Sequence, residues 1–261
     1  MGSEDLRGKS ALVTGGTSGI GEAAVRRLAD AGASVTFTGR DTERGARVAA
    51  ATGAVFAAHD VTDDATWPGL IADVQRRASR LDILFANAGT TEGDADIESV
   101  PAAAWRRVME VNVTGVMLAC QHAIAAMKQN PGGSSGSIII NSSVVAMQSL
   151  PGYIAYTTSK GALRSLAKGI AAHCARHKLD IRCNSIHPGN TDTPNLRRAV
   201  DASGDPAAAQ AFLASFSPLE RLANPEEVAN LVLYLAGSQS SFITGAEILI
   251  DGGTIAGMGS V

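Results

Sequence analysis

Tyr156 and Lys160 bound the run Tyr156-Thr157-Thr158-Ser159-Lys160, a spacing that sets a phenol and an ammonium one helical turn apart on one face. A phenol ordinarily ionises near pH ~10, and an ammonium beside it favours the phenolate. The pair is therefore a candidate proton-transfer unit, weighed against the plainer reading of a surface Tyr–Lys contact. Other polar residues stand where apolar runs end. Ser142 and Ser143 close one run, Asn87-Ala88-Gly89 closes another, and Asn112 interrupts an apolar helix. In a doubly wound sheet the carboxyl ends of the strands converge on one crevice, which would gather these residues.

The elements that must position them are legible as alternating short and long patterns. Strands are expected at 10–14, 34–38, 55–58, 83–86, 137–141, 181–185 and 247–250, and helices at 20–30, 62–79, 102–128, 156–176 and 225–236. Repeated strand–helix units with β-branched, doubly buried strands predict an α/β fold. Its core would be a doubly wound (Rossmann) parallel sheet of about seven strands with helices on both faces. No linker divides the chain, so one domain over 1–261 is expected, with 189–224 as a substrate lid. The chain of 261 residues is 45% hydrophobic, with 18% charged residues and a net charge of -3, which excludes disorder.

Directly after the first strand comes Thr14-Gly15-Gly16-Thr17-Ser18-Gly19-Ile20-Gly21, and then a helix. Glycine lets a ligand approach the backbone, and a helix N-terminus offers free N–H groups to a pyrophosphate. Strand before and helix after make this a dinucleotide loop rather than an ordinary turn. Two similar strings lack that context. Gly8-Lys9-Ser10 precedes its strand, and Gly132-Gly133-Ser134-Ser135-Gly136 leads into a strand rather than a strand-to-helix turn. An NAD-specific site usually carries an acid at the end of the second strand. Here Gly39 and Arg40 stand there, which suits a 2′-phosphate, while Asp41 could still reach a ribose hydroxyl. The preference is NADP (NADPH) over NAD (NADH).

The chain resembles the short-chain dehydrogenase/reductase family, in the branch of about this size. Thr14–Gly21, Asp60, Asn87-Ala88-Gly89, Asn112, Ser143, Tyr156, Lys160 and Pro188-Gly189 carry the resemblance, in order and across nearly the whole chain. It implies that Tyr156 is the general acid/base and that Ser143 holds the substrate oxygen. Lys160 would lower the Tyr156 pKa and bind the nicotinamide ribose, and Asn112 would support a water relay. Cofactor contacts are expected at Gly15, Thr17, Ser18, Gly19, Ile20, Gly21, Arg40, Asp60, Val61, Asn87, Ala88, Gly89, Tyr156, Lys160, Pro188, Gly189, Thr191 and Thr193. Thr191 stands where the family usually has an apolar residue. Tyr153 has the Tyr–Lys spacing of divergent enoyl reductases, but the glycine loop is of the alcohol-dehydrogenase type, so catalysis is assigned to Tyr156. Tyr153 would line the substrate pocket with Ser143, Val145, Tyr156 and Leu196.

Leu196, Val200, Phe212, Leu213 and Phe216 recur at roughly helical spacing, as a lid packing on its own body or as an apolar substrate wall. Ile124–Lys128, Asn184–Pro188 and Gly257-Met258-Gly259 look like bacterial 3β/17β-hydroxysteroid dehydrogenases. The implied activity interconverts a bulky hydrophobic secondary alcohol and its ketone, steroid-like or cyclic. A catalytically idle dinucleotide-binding regulator or scaffold is the alternative. The family also implies a homotetramer.

The remaining residues exclude other classes. Arg76–Arg77, Arg106–Arg107 and Arg197–Arg198 are scattered, so no nucleic-acid partner is expected. No run approaches the ~18 apolar residues of a membrane span, and the acidic start Met1-Gly2-Ser3-Glu4-Asp5 is unlike a signal peptide. Cys120, Cys174 and Cys183 form no Cys-x-x-Cys pair and read as free thiols. His173 and His177 share a helix face with no carboxylate between them, so no metal is expected. A cytoplasmic protein with a small-molecule substrate is the expectation.

Overall fold

The structure is a computed structural model that describes residues 5–257. The first four residues and Met258-Gly259 of the steroid-dehydrogenase-like tail lie outside the described residues. The first half runs β1 (Ser10–Thr14), α1 (Gly19–Asp30), β2 (Ser34–Gly39), α2 (Thr42–Thr52), β3 (Val55–Ala58), α3 (Trp67–Ala78) and β4 (Ile83–Ala86). Then come α4 (Ala102–Met109), α5 (Gly115–Met127), β5 (Ser135–Asn141), α6 (Ile154–Arg176) and β6 (Asp180–Pro188). The chain continues through α7 (Pro194–Asp201), α8 (Pro206–Ser215), α9 (Pro225–Ala236) and β7 (Glu247–Ile250).

The strands form a 7-stranded sheet in the order β3-β2-β1-β4-β5-β6-β7, and every pairing is parallel. Successive strand side chains point to opposite faces, and both faces are covered. Leu12, Leu84, Ile138 and Ile140 therefore pack with α3, α5 and α6 through Trp67, Ile71, Ala119 and Leu163. Their neighbours Val13, Ile83, Phe85 and Ile139 pack with α1 and α9 through Val25, Leu28, Val228 and Val232. This is the expected doubly wound architecture.

The differences from expectation are local. Helix α2 was not foreseen; it buries only Gly45 and Val48, too thin a stripe to show as a period. The stretch 189–224 contains two helices, α7 and α8, capped by Thr193 and Asp205 with proline next in each. Strand β6 reaches Pro188, three residues beyond expectation. Between α4 and α5 the backbone makes a π-helical turn over Glu110–Thr114 with Asn112 buried inside it. The combined helix Ala102–Met127 is long and apolar enough to cross a bilayer by length and composition. Here its apolar face, including Val116, Ala119, Cys120 and Ala123, is buried against the sheet.

Candidate active site

The glycine turn is built before any ligand is considered. Gly15 and Gly19 take left-handed φ values of 67° and 56°, where a Cβ is strained. Gly16 N donates to Thr38 O at 2.8 Å, and Asn87 Nδ2 donates to Thr14 O and Gly15 O at 3.1 and 3.0 Å. A Cβ at Gly21 would overlap the Gly15 carbonyl oxygen, so α1 can start this close to β1 only with glycine there. The N-cap residue Ser18 makes no side-chain cap bond, which leaves the first-turn N–H groups of α1 facing open space.

That space is a cleft of about 570 Å³ across the carboxyl ends of the strands. Gly15, Thr17, Ser18, Gly19, Ile20 and Gly21 line one part, with Arg40, Asp60 and Val61 beyond them. Asn87, Ala88, Gly89, Pro188, Gly189, Thr191 and Thr193 line the cleft as well, as do Ser143, Val145, Tyr153, Tyr156, Lys160 and Leu196. Of the residues expected at the site, Asn112 alone is not part of the lining. It lies fully buried behind it. Its Nδ2 donates to Thr90 O and Ser159 Oγ at 2.9 and 3.0 Å, and its Oδ1 accepts from Thr90 N at 2.7 Å. The side chain thus ties the strand-end loop to α6.

Three further polar atoms of the lining were not singled out in the sequence. Thr38 Oγ1, His59 Nε2 and Asn141 Oδ1 are buried without a partner and belong to cleft-lining residues. Buried polar groups are rarely left unpaired in a folded protein, and these three cluster in residues around one cleft. Asn141 carried a usable signal, since it is the polar residue that follows three isoleucines at the end of β5.

Ser143 is held from behind. Its carbonyl oxygen accepts from His187 Nδ1 at 3.1 Å, while Ser185 Oγ lies 2.9 Å from His187 Nε2. Burial keeps that imidazole below its ordinary pKa, so the neutral ring, donating through Nδ1, is the form present. Arg164 donates to Ala146 O at 3.0 Å and pairs with Glu247, fixing the other end of the same turn.

Lys160 is buried, and its Nζ donates to Asn141 O at 2.7 Å while lying 5.5 Å from the Tyr156 ring centroid. Desolvation lowers its pKa from 10.5 to about 8. Tyr156 shifts upwards. Burial raises its phenol above the ordinary value, and the hydrogen bond from Ser143 only partly offsets this.

The lysine shift has a stability consequence. A base whose folded pKa lies below its unfolded value costs stability wherever the unfolded chain is charged. The penalty is complete below about pH 8 and fades as pH rises from 8 towards 10.5. Lys160→Met should therefore be more stable to urea than the parent at pH 7, with the gap closing by about pH 10.5. A parent more stable than the variant at pH 7 would contradict this.

The glycine loop and the Ser143, Tyr156 and Lys160 side chains line one cleft at the carboxyl edge of a Rossmann-type sheet. The family described as "Enoyl-(Acyl carrier protein) reductase" matches residues 15–254. Among curated relatives, the 3-beta-hydroxysteroid dehydrogenase of Comamonas testosteroni is 36% identical over 97% of this chain and 98% of its own length. The NADP-dependent (R)-specific alcohol dehydrogenase of Lentilactobacillus kefiri is 34% identical over 95% and 97%. The cis-4-hydroxycyclohexanecarboxylate dehydrogenase of Sinomonas cyclohexanicum is 36% identical over 93% and 95%. A solved structure of levodione reductase superposes with a TM-score of 0.91 at 26% identity, covering 97% of this chain and 99% of that one. The chain belongs to the short-chain dehydrogenase/reductase family and is an NAD(P)-dependent oxidoreductase.

Proposed function

We propose that the enzyme interconverts a hydrophobic, cyclic or steroid-like secondary alcohol and its ketone, with NADP(H) preferred. The observation that carries this reading is that Ser143, Tyr156 and Lys160 line the same cleft as the glycine loop. A nicotinamide held in the cleft would supply the hydride chemistry at the substrate's carbinol or carbonyl carbon. In the reductive direction the Tyr156 hydroxyl gives its proton to the substrate oxygen, and in oxidation the phenolate takes one. Ser143 donates to the same oxygen as charge develops there. Lys160 would hold ribose hydroxyls, and its charge together with that of an oxidised nicotinamide would favour the phenolate. Asn112 acts from behind, keeping Thr90 and α6 in register.

Gly15 to Gly21 would hold the pyrophosphate, Asp60 and Val61 the adenine, and Asn87, Ala88 and Gly89 the middle of the dinucleotide. Pro188, Gly189, Thr191 and Thr193 would hold the carboxamide. Arg40 would face the 2′-phosphate. A Cβ at Gly39 would stand 2.5 Å from Thr17 Cγ2, so an acidic side chain at that position requires Thr17 to move. The name of the Lentilactobacillus relative supports the NADP preference. Val145, Leu150, Tyr153, Leu196 and Ala199 supply apolar lining, and the steroid and cyclohexane relatives support a cyclic substrate. The 189–224 segment serves as the lid, since α7 and α8 contain no buried residues. A homotetramer is the proposed assembly, with the exposed Leu249 and Phe242 as available apolar surface.

The test is a panel of cyclic and acyclic ketones and alcohols assayed with both cofactors. Turnover should favour cyclic substrates with NADPH. Arg40→Ala should reduce the NADPH/NADH ratio of kcat/KM by about tenfold, the loss of one charge-assisted phosphate contact. An unchanged ratio would remove Arg40 from cofactor choice, and no turnover across the panel would overturn the enzymatic assignment.

A further inference from the structure

Helix α6 carries both Tyr156 and Lys160, yet its N-cap residue, Tyr153, makes no side-chain cap bond. The free N–H groups of its first turn are instead taken by another part of the chain. Ile154 N donates to Ala95 O at 3.1 Å. Ala155 N donates to Asp94 Oδ1 at 3.0 Å, and Tyr156 N donates to Asp94 Oδ2 at 2.7 Å. Asp94 Oδ1 also accepts from its neighbour Ala95 N at 2.9 Å. Each carboxylate oxygen is therefore committed to backbone of known place, and the anion sits at the positive end of the helix.

The loop that delivers Asp94 is itself fastened. Asn112 grips Thr90 through both its N–H and its carbonyl, Glu92 pairs with Arg107, and Gly93 turns the backbone at φ 76°. Thr90 and Thr91 of this loop line the cleft beside Tyr156.

We propose that Asp94 is a positioning residue for Tyr156: it caps α6 from the β4–α4 loop and sets the height of the phenol against Ser143. This rests on the reading of Tyr156 as the acid/base, but its physical claim concerns where the ring sits. The cap bond is made to the Tyr156 amide itself, so losing it frees the residue that carries the phenol rather than a distant turn. Asp94→Ala removes both acceptors, whereas Asp94→Asn keeps one carbonyl acceptor for the Tyr156 amide.

The test uses the full-length protein labelled with 3-fluorotyrosine, which has only Tyr153, Tyr156 and Tyr234 to resolve. The Tyr156 resonance is identified by its absence in Tyr156→Phe. In Asp94→Ala that resonance should shift or broaden while Tyr234 stays in place. The kcat should fall about tenfold to a hundredfold, as expected for a displaced proton-transfer group, with substrate KM within about threefold. Asp94→Asn should recover a substantial part of both signals, and it serves alone if the alanine variant does not fold. An unmoved Tyr156 resonance overturns the proposal, as does an asparagine variant no better than alanine. If Tyr156→Phe retains turnover, the acid/base reading fails separately, while the resonance still decides the placement.

Discussion

Tyr156→Phe should reduce kcat by about a thousandfold or more in both directions, while dissociation constants for NADPH change by less than about threefold. General acid–base catalysis contributes roughly 10²–10⁴ in rate when the proton is delivered by a positioned group. The substitution removes that proton and also the hydroxyl that Ser143 engages. The hydroxyl is the only atom lost, so the ring still fills its place against Lys160, 5.5 Å away, and the fold should be little disturbed. Single-turnover hydride transfer followed at the NADPH absorbance, with cofactor binding measured by fluorescence, separates the two effects. Turnover within tenfold of the parent would reassign the proton to another group, such as Tyr153, which also lines the cleft. Because burial raises the Tyr156 pKa, the oxidation rate of the parent should rise with pH through the alkaline range, where the phenolate forms.

The second large effect is expected at Gly21. A methyl group there meets the Gly15 carbonyl oxygen and stands 2.6 Å from Asn87 Nδ2. Neither partner is free to yield, since Asn87 Nδ2 already bonds both Thr14 O and Gly15 O. Gly21→Ala must push α1 away from β1 or break the Asn87 link. Overpacking of this kind costs about 1–3 kcal/mol, and the displaced loop should weaken NADPH binding by at least about thirtyfold. Gly69 is the control, because it lies near the start of α3 with nothing within 4 Å of an added Cβ. Gly69→Ala should leave binding unchanged and stabilise the fold by about 0.4–1 kcal/mol. Calorimetric titration with NADPH and urea unfolding measure both, and parental affinity in Gly21→Ala would refute the packing argument.

Much of the site could be read before the fold, because its residues sit at places that pattern alone identifies. Ser143, Asn87 and Gly189 follow strands whose apolar runs stop abruptly, and Tyr156 and Lys160 share a helix face. What remained hidden depends on contacts between segments far apart in sequence. Asp94 lies in a loop beside Asp96, and nothing local distinguishes the carboxylate that reaches α6 from its neighbour, which bonds Ser99. The burial that raises the Tyr156 phenol is likewise invisible in the sequence, where only neighbouring charge can be read. The lid helices were signalled by Thr193-Pro194 and Asp205-Pro206, cap-and-proline pairs that the apolar spacing alone does not weigh. Helix α2 is the opposite case: its sequence lacks a broad apolar stripe because it packs on little.

The strand order also has a temporal meaning. From β1 the sheet grows outwards through β2 to β3 on one side, and then through β4, β5, β6 and β7 on the other. A chain synthesised from its N-terminus therefore always adds the next strand to an existing edge, never between two strands already paired. The glycine turn and the three strands around it are made first, and β4 brings Asn87 to lock that turn. Ser143, Tyr156 and Lys160 arrive afterwards, on a platform already in place. During biosynthesis the nucleotide-facing half precedes the chemistry-bearing half, and the open edge travels with the growing chain until β7 ends it.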